Sequence, residues 1–299
     1  MCRAVDLEQA VLAKNDRSAE ALRTELAARG TAVVNLLSSP GSGKTALLEA
    51  ELQHARRRGV PAAALTADLA TENDAVRLAR AGLPVRQVHT DGLCHLEAGM
   101  LRGHLEGWLP ADTRLLFVEN VGNLVCPASY DLGETLRVAL ASVTEGEDKP
   151  LKYPTAFGLA QLVVVTKNDL AEAVDFDREG FLRNVRQVNP GVEVLFTSVR
   201  TGEGGGGLLD RALAAADGGT VHAPVMARTV AMDGHHHGPA AGHGHAQTHD
   251  HDHAHRHGHA HRHGHAHGDG NGQAHGHLHT PASAQAPAPA PGPAEHTPR

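Results

Sequence analysis

The sequence predicts an α/β fold, a mostly parallel sheet flanked by helices, followed by a disordered histidine-rich C-terminal tail. Three observations predict it. Short Val/Leu/Ala runs alternate with helical patterns as far as about Met232. A Gly-rich loop joins the first apolar run to the first helical pattern. From Asp233 the composition turns to His, Gly, Ala and then Pro, with Leu278 the one large aliphatic residue.

Six runs read as buried strands: 32–38, 61–67, 114–120, 136–143, 162–167 and 192–198. They are continuously apolar rather than alternating, as strands covered on both faces require. Helical patterns occupy 44–59, 72–82, 177–188 and 207–216, and an amphipathic pattern opens the chain. Strand-helix alternation of this kind means a parallel sheet with its ligands beyond the carboxyl ends of the strands. The expected organisation is a helical segment at 1–30 packing on the main domain, a nucleotide-binding domain at 31–220 and a tail at 221–299. A tail so poor in apolar residues cannot bury enough surface to offset its ordering entropy.

Of the net charge of -7 over 299 residues, the stretch from Asp233 carries -2 and the body -5. A mildly acidic body without a basic cluster argues against nucleic acid or an anionic membrane as partner. Three cysteines (Cys2, Cys94 and Cys126) make no disulfide framework and fit a reducing compartment. With no apolar targeting region and no membrane-spanning run, a cytoplasmic location is expected.

The segment 38–45, SSPGSGKT, lies between strand and helix, the context a phosphate-binding P-loop requires. The expected fold is therefore that of a P-loop NTPase. Pro40, Gly41, Ser42 and Gly43 form the cradle, Lys44 reaches the β- and γ-phosphates, and Thr45 offers its hydroxyl to Mg2+. Ser38 stands where the motif usually has its first Gly; a plain Gly-rich turn is the competing reading. Asp68 and Glu119 end strands at the same sheet edge and are candidate Mg2+ ligands, or else surface carboxylates. Lys44, Thr45, Asp68 and Glu119 are the candidate catalytic set. No residue stands out as a general base.

Thr166-Lys167-Asn168-Asp169 follows another apolar strand. Asp169 can accept two donors that guanine has and adenine lacks, so an adenine would leave the carboxylate unpaired. The Lys167 stem can lie over the base, and Ser198 in TSVRTGEG sits near the purine carbonyl. Thr166 replaces the usual Asn of this motif. GTP is the expected nucleotide.

Cys94 and His95 lie side by side at a predicted helix start, where a thiol pKa is lowered. Cys126 comes seven residues after Glu119. Two thiolates and an imidazole suit Zn2+ or Ni2+. His104 is a distant fourth candidate, and a two-fold dimer would supply the set twice. The same residues could instead be two structural cysteines and a surface histidine.

NLLSSPGSGKTALLE, CHLEAGM, FVENVGNLVCPASYDLGE and SVTEGEDKPLKYP together resemble HypB, the hydrogenase nickel-incorporation GTPase family of the SIMIBI class, over roughly residues 5–217. The resemblance implies slow GTP hydrolysis, GTP-driven homodimerisation, and a Ni/Zn site at the dimer interface matching Cys94, His95 and Cys126. It also implies a HypA-type nickel/zinc accessory protein as partner, a SlyD-type chaperone, and indirectly the hydrogenase large subunit. Asp91-Gly92-Leu93 and Glu97 depart from the family's usual flanks of this Cys-His pair. The N-terminal CxxCGC nickel motif of many members is represented only by Cys2. The Cys-Pro-His motif of the sister urease family UreG and the CxCC motif of cobalamin and zinc chaperones are absent from the sequence.

The tail carries His235, His236, His237, His243, His245, His249, His251, His253, His255, His257, His259, His261, His263, His265, His267, His275, His277 and His279. Neutral imidazole binds Ni2+, Zn2+ and Cu2+, and spaced imidazoles on a flexible chain offer many poorly selective sites. A nickel reserve is the expected role, a solvated linker the competing one. A nickel-storage protein with an incidental GTPase domain is the reading from another functional class.

Overall fold

The structure, a computed structural model, describes residues 2–67, 73–90 and 92–227, with the side chains of 2–8 and of Asn73 excluded. Asp68, Asp91 and every tail histidine from His235 to His279 lie outside the described residues.

Seven strands form one parallel sheet: β1 (Ala32–Ser38), β2 (Ala62–Thr66), β3 (Val85–Gln87), β4 (Leu115–Glu119), β5 (Leu136–Ser142), β6 (Leu162–Thr166) and β7 (Val194–Phe196). Their order is β3-β2-β4-β1-β5-β6-β7. The helices are α1 (Cys2–Ala28), α2 (Lys44–Arg57), α3 (Asn73–Ala79), α4 (Ala98–Leu105), α5 (Lys149–Lys152), α6 (Pro154–Gly158), α7 (Arg178–Val188) and α8 (Gly207–Ala216). The α/β expectation holds, and the sheet is wholly parallel. β3 is a strand that the sequence patterns did not mark.

Every residue of β1, β2, β4 and β6 is buried, which is why these runs are continuously apolar. Val34 and Leu36 of β1 pack with Leu47, Leu48 and Leu52 of α2 and Leu208 and Leu209 of α8. On the opposite face, Val33, Leu65, Leu116 and Val118 meet Leu22 and Leu26 of α1 and Leu101 and Leu105 of α4. A third cluster sets Leu37, Ala139, Val163 and Val165 against Phe157 of α6 and Phe181 of α7.

β1 sits between β4 and β5, so the chain leaves it towards both halves of the sheet. That switch point opens a crevice at the carboxyl ends of the strands. The loops after β1, β4, β6 and β7 carry SSPGSGKT, ENVGNLVC, TKND and TSVRTGEG there.

Two helix N-termini are capped by side chains of other helices. Glu51 of α2, 0% exposed, accepts the Gly206 and Leu209 amides at the start of α8, at 2.9 and 2.8 Å. Asn15 of α1 accepts the amide of Ala98, the first residue of α4, at 2.9 Å. The SVTEGEDKPLKYP stretch also acquires a physical role. Ser142 and Glu145 form a reciprocal capping box, and Lys149 pairs with Glu145 at 2.8 Å while lying over the Tyr153 ring.

Candidate functional site: a phosphate loop, a base pocket and a cysteine–histidine centre

Pro40, Gly41, Ser42, Gly43, Lys44 and Thr45 line a cavity of about 390 Å³, with Glu119, Gly122, Asp74 and Arg77 across from them. Gly41 (φ 74°) and Gly43 (φ 90°) take left-handed backbone that side-chain-bearing residues rarely adopt. Gly43 is the N-cap of α2, so the helix N-terminus and the amides before it face the cavity. Ser38, in place of the usual Gly, is buried and donates to the Ser39 carbonyl at 3.0 Å.

Thr45 Oγ1 donates to Glu119 Oε1 at 2.6 Å, so the two expected Mg2+ ligands meet. Glu119 Oε2 is buried without a hydrogen bond, a hard oxygen beside the phosphate cavity. Burial pushes the Glu119 carboxyl up, against the lowering influence of Lys44 and of the Thr45 bond. A buried carboxylate oxygen with no hydrogen bond of its own, next to a hydroxyl, suits a magnesium ion. Asp68, the third expected ligand, lies outside the described residues.

A second cavity of about 290 Å³ adjoins the loop and is lined mainly by apolar groups of Ala46, Lys167, Leu170, Val199 and Arg200, with Asp169 on its wall. Asp169 Oδ1 accepts from Ser198 Oγ at 2.6 Å, and that bond holds its carboxyl below the usual range. Thr166, in place of the usual Asn, braces the segment against the phosphate loop. Its hydroxyl donates to the Ser42 carbonyl of the phosphate loop and lies 3.3 Å from the Ala141 carbonyl of β5. Lys167 donates to the Gly41 carbonyl at 2.7 Å. Glu203, which sequence reasoning missed, accepts both bonds of the Asn168 amide at 2.8 and 2.9 Å. Its backbone carbonyl accepts from Ser198 N. Arg200, also missed, stands 3.5 Å from Asp169.

The third feature lies along the same sheet edge. His95 Nδ1 is 3.7 Å from Cys94 Sγ, and Cys126 is close enough to raise the Cys94 thiol pKa. The His95 ring stacks on Tyr130 at 3.8 Å, and its buried Nε2 lies 3.8 Å from Glu97 Oε1, beyond hydrogen-bond length. Burial lowers the His95 pKa, with Glu97 opposing, which favours the neutral, metal-binding imidazole. The expectation for Cys94 is corrected. Helix α4 begins at Ala98, so Cys94 precedes it by a full turn and gains nothing from its dipole. The neighbouring Cys126, together with burial, pushes the Cys94 thiol up instead. Among the described residues no three His, Cys, Asp or Glu side chains converge tightly enough to hold a metal ion within one chain. The backbone carbonyl of His104, the distant fourth candidate, accepts from Arg86 at 2.7 Å.

One loop joins the two chemistries. It leaves β4 at Glu119, passes Gly122 against Pro40 of the phosphate loop, and reaches Cys126 four residues later. A Cβ on Gly122 would lie 3.3 Å from Pro40 atoms, so only glycine allows this approach without adjustment.

Residues 32–196 match the nucleotide-binding domain of the CobW/HypB/UreG family. The chain belongs to that family. Within it the similarity is to HypB proteins. The hydrogenase maturation factor HypB of Azotobacter vinelandii is 48% identical over 204 residues, covering 68% of this chain and 67% of that one. HypB of Escherichia coli K12 is 48% identical over 202 residues, 68% and 69% of the two chains. The crystal structure of HypB from Archaeoglobus fulgidus superposes with a TM-score of 0.64 at 37% identity, covering 69% of this chain and all of that one. HypB from Helicobacter pylori, solved in complex with nickel, gives 0.62 at 35%, covering 70% and 99%. The 390 Å³ cavity lies within the part of the chain that matches the family's nucleotide-binding domain. No helix among the described residues is long and apolar enough to cross a membrane.

Proposed function

We propose that this protein is a GTP-hydrolysing nickel metallochaperone for the maturation of nickel–iron hydrogenase, acting in the cytoplasm. The observation that carries the reading is the single loop from Glu119 to Cys126, which touches the phosphate loop through Pro40–Gly122 before it reaches the cysteine. A rearrangement around the γ-phosphate has a packed route of a few residues to the metal centre.

Lys44 and the loop amides hold the phosphates, and Thr45 and Glu119, with Asp68, organise Mg2+. The ion neutralises phosphate charge when bound. Asp169, held by Ser198, selects guanine, while Lys167 and Arg200 flank the base. Nickel is the cargo, with Zn2+ able to occupy the same thiolates. Because the described residues of one chain do not close a metal site, the functional unit is a GTP-bound homodimer in which two copies of Cys94, His95 and Cys126 meet. Leu93 and Val125, each beside a cysteine and 41% and 63% exposed, give that face an apolar contact area. The similarity to hydrogenase maturation factors supports a HypA-type partner, a SlyD-type chaperone and, indirectly, the hydrogenase large subunit. The tail is a nickel reserve.

The test is nickel transfer to an acceptor with GTP or a non-hydrolysable analogue. Faster transfer with GTP is expected; identical rates would remove hydrolysis from the mechanism. Deleting residues 233–299 addresses the storage reading. If maturation then fails at every nickel concentration, the tail and not the thiolate centre carries delivery.

A further inference from the structure

The two segments of the cysteine–histidine centre come from different crossovers, and one buried side chain from a third element bonds to both. Asn15 of α1 is 4% exposed. Its Oδ1 accepts from Ala98 N at 2.9 Å, three residues after His95. Its Nδ2 donates to the Asp131 carbonyl at 2.8 Å, next to Tyr130, whose ring stacks on His95. The Ala98 amide is a helix-start donor for which Glu97 supplies no side-chain cap. A carboxamide presents an acceptor and a donor from one rigid plane, so Asn can join an N–H to a C=O, which Asp or Leu cannot.

The same loop is held from other sides. Arg23 of α1 bonds Asp131 Oδ2 at 2.6 Å. Arg137 of β5 donates to the Ala128 and Tyr130 carbonyls at 3.1 Å each while paired with buried Glu134. Arg137 therefore ties the Cys126 loop to the sheet. Asn15 alone of these ties it to the Cys94–His95 segment.

We propose that Asn15 is a positioning residue for the metal centre: its amide sets the spacing between the Cys94–His95 segment and the Cys126–Tyr130 loop, so that each chain contributes its three ligands together to the proposed dimer site. The proposal rests on the reading of those residues as metal ligands, and its test separates the two. The full-length chain is used, with Asn15→Asp, which keeps the acceptor for Ala98 and loses the donor to Asp131, and Asn15→Leu, which loses both. The first readout is Ni2+ titration followed by thiolate-to-nickel charge transfer in the near ultraviolet. Tail imidazoles do not produce that band. Loss of a residue that orients ligands is expected to weaken this binding about 10–100-fold, with GTP affinity unchanged. The second readout needs no metal. Dibromobimane fluoresces only after alkylating two neighbouring thiols, and peptide mapping assigns the Cys94–Cys126 bridge. Bridging is expected to fall several-fold in both variants.

Unchanged bridging in Asn15→Asp and Asn15→Leu overturns the proposal, whatever the nickel band does. Reduced bridging with a weaker band supports it. Reduced bridging, with no band even in the unaltered chain, supports the positioning role and overturns the metal reading. Should Asn15→Leu fail to fold, Asn15→Asp decides by the same criteria.

Discussion

Glu51→Gln tests whether the loop behind the proposed base pocket is anchored from the P-loop helix. The carboxylate caps α8 with two bonds, to Gly206 N and Leu209 N. Gln keeps one acceptor and turns an NH2 towards the other amide. A buried amide left facing an NH2 is unsatisfied, at a cost of about 1–3 kcal/mol. The loss is partly offset, because burial makes the charge itself unfavourable and raises the Glu51 carboxyl pKa. A net destabilisation of about 1–2 kcal/mol follows, or about 2–8 °C in Tm for a domain of this size. The pH dependence has a definite sign. The folded carboxyl titrates above the unfolded one, so between the two values the unfolded state has released a proton the folded state retains. Stability contributed by Glu51 is full below the unfolded value and declines as pH rises through the folded one. Gln does not titrate. The unaltered protein's advantage should therefore be largest at acid pH and shrink upward through that window, measured by urea unfolding from pH 4 to 8. An equal Tm would refute the capping argument. An advantage that grows with pH would show that the two amides outweigh burial.

Asp169→Asn should lower GTP affinity by roughly 10²-fold or more and favour xanthine over guanine nucleotides, read by displacement of a fluorescent nucleotide. Equal affinity would place the base elsewhere. Gly122→Ala presses a methyl against Pro40 and should cost about 1 kcal/mol of stability. GTP should still bind, yet alter nickel release from the cysteine centre less; an undiminished GTP effect would break the proposed route. Nickel held by the tail should dissociate as pH falls through about 6.5, where imidazole takes up a proton. Retention of all bound nickel at pH 5 by equilibrium dialysis would argue against imidazole ligation.

The sheet was legible because burial on both faces leaves its mark on every residue of β1, β2, β4 and β6. β3 escaped because three half-buried residues, two of them Arg86 and Gln87, carry no apolar run. α5 and α6 escaped because Pro150 and Pro154 cut the helical period into single turns. The phosphate-loop and base motifs are contiguous in sequence, so their candidate residues could be picked out directly, and they line two adjoining cavities. Thr166 could be read as a departure but not as a brace, since its partner Ser42 lies 124 residues away. Asn15 gave no local signal either: its partners are 83 and 116 residues distant. The Cys94 expectation failed on a helix boundary, the feature that periodicity places least well.

Thr166 and Lys167 stitch the base-recognition segment to the carbonyls of Ser42 and Gly41. On the proposed function, the grip on the phosphates and the grip on the base are thus parts of one body, and thermodynamic reciprocity applies between them. Whatever free energy a seated base lends to the phosphate loop, a seated phosphate lends back to the base pocket. Guanosine and pyrophosphate, supplied as separate molecules, should each tighten the other's binding by the same factor. Thr166→Val, which removes the hydroxyl stitch, should bring that factor closer to one.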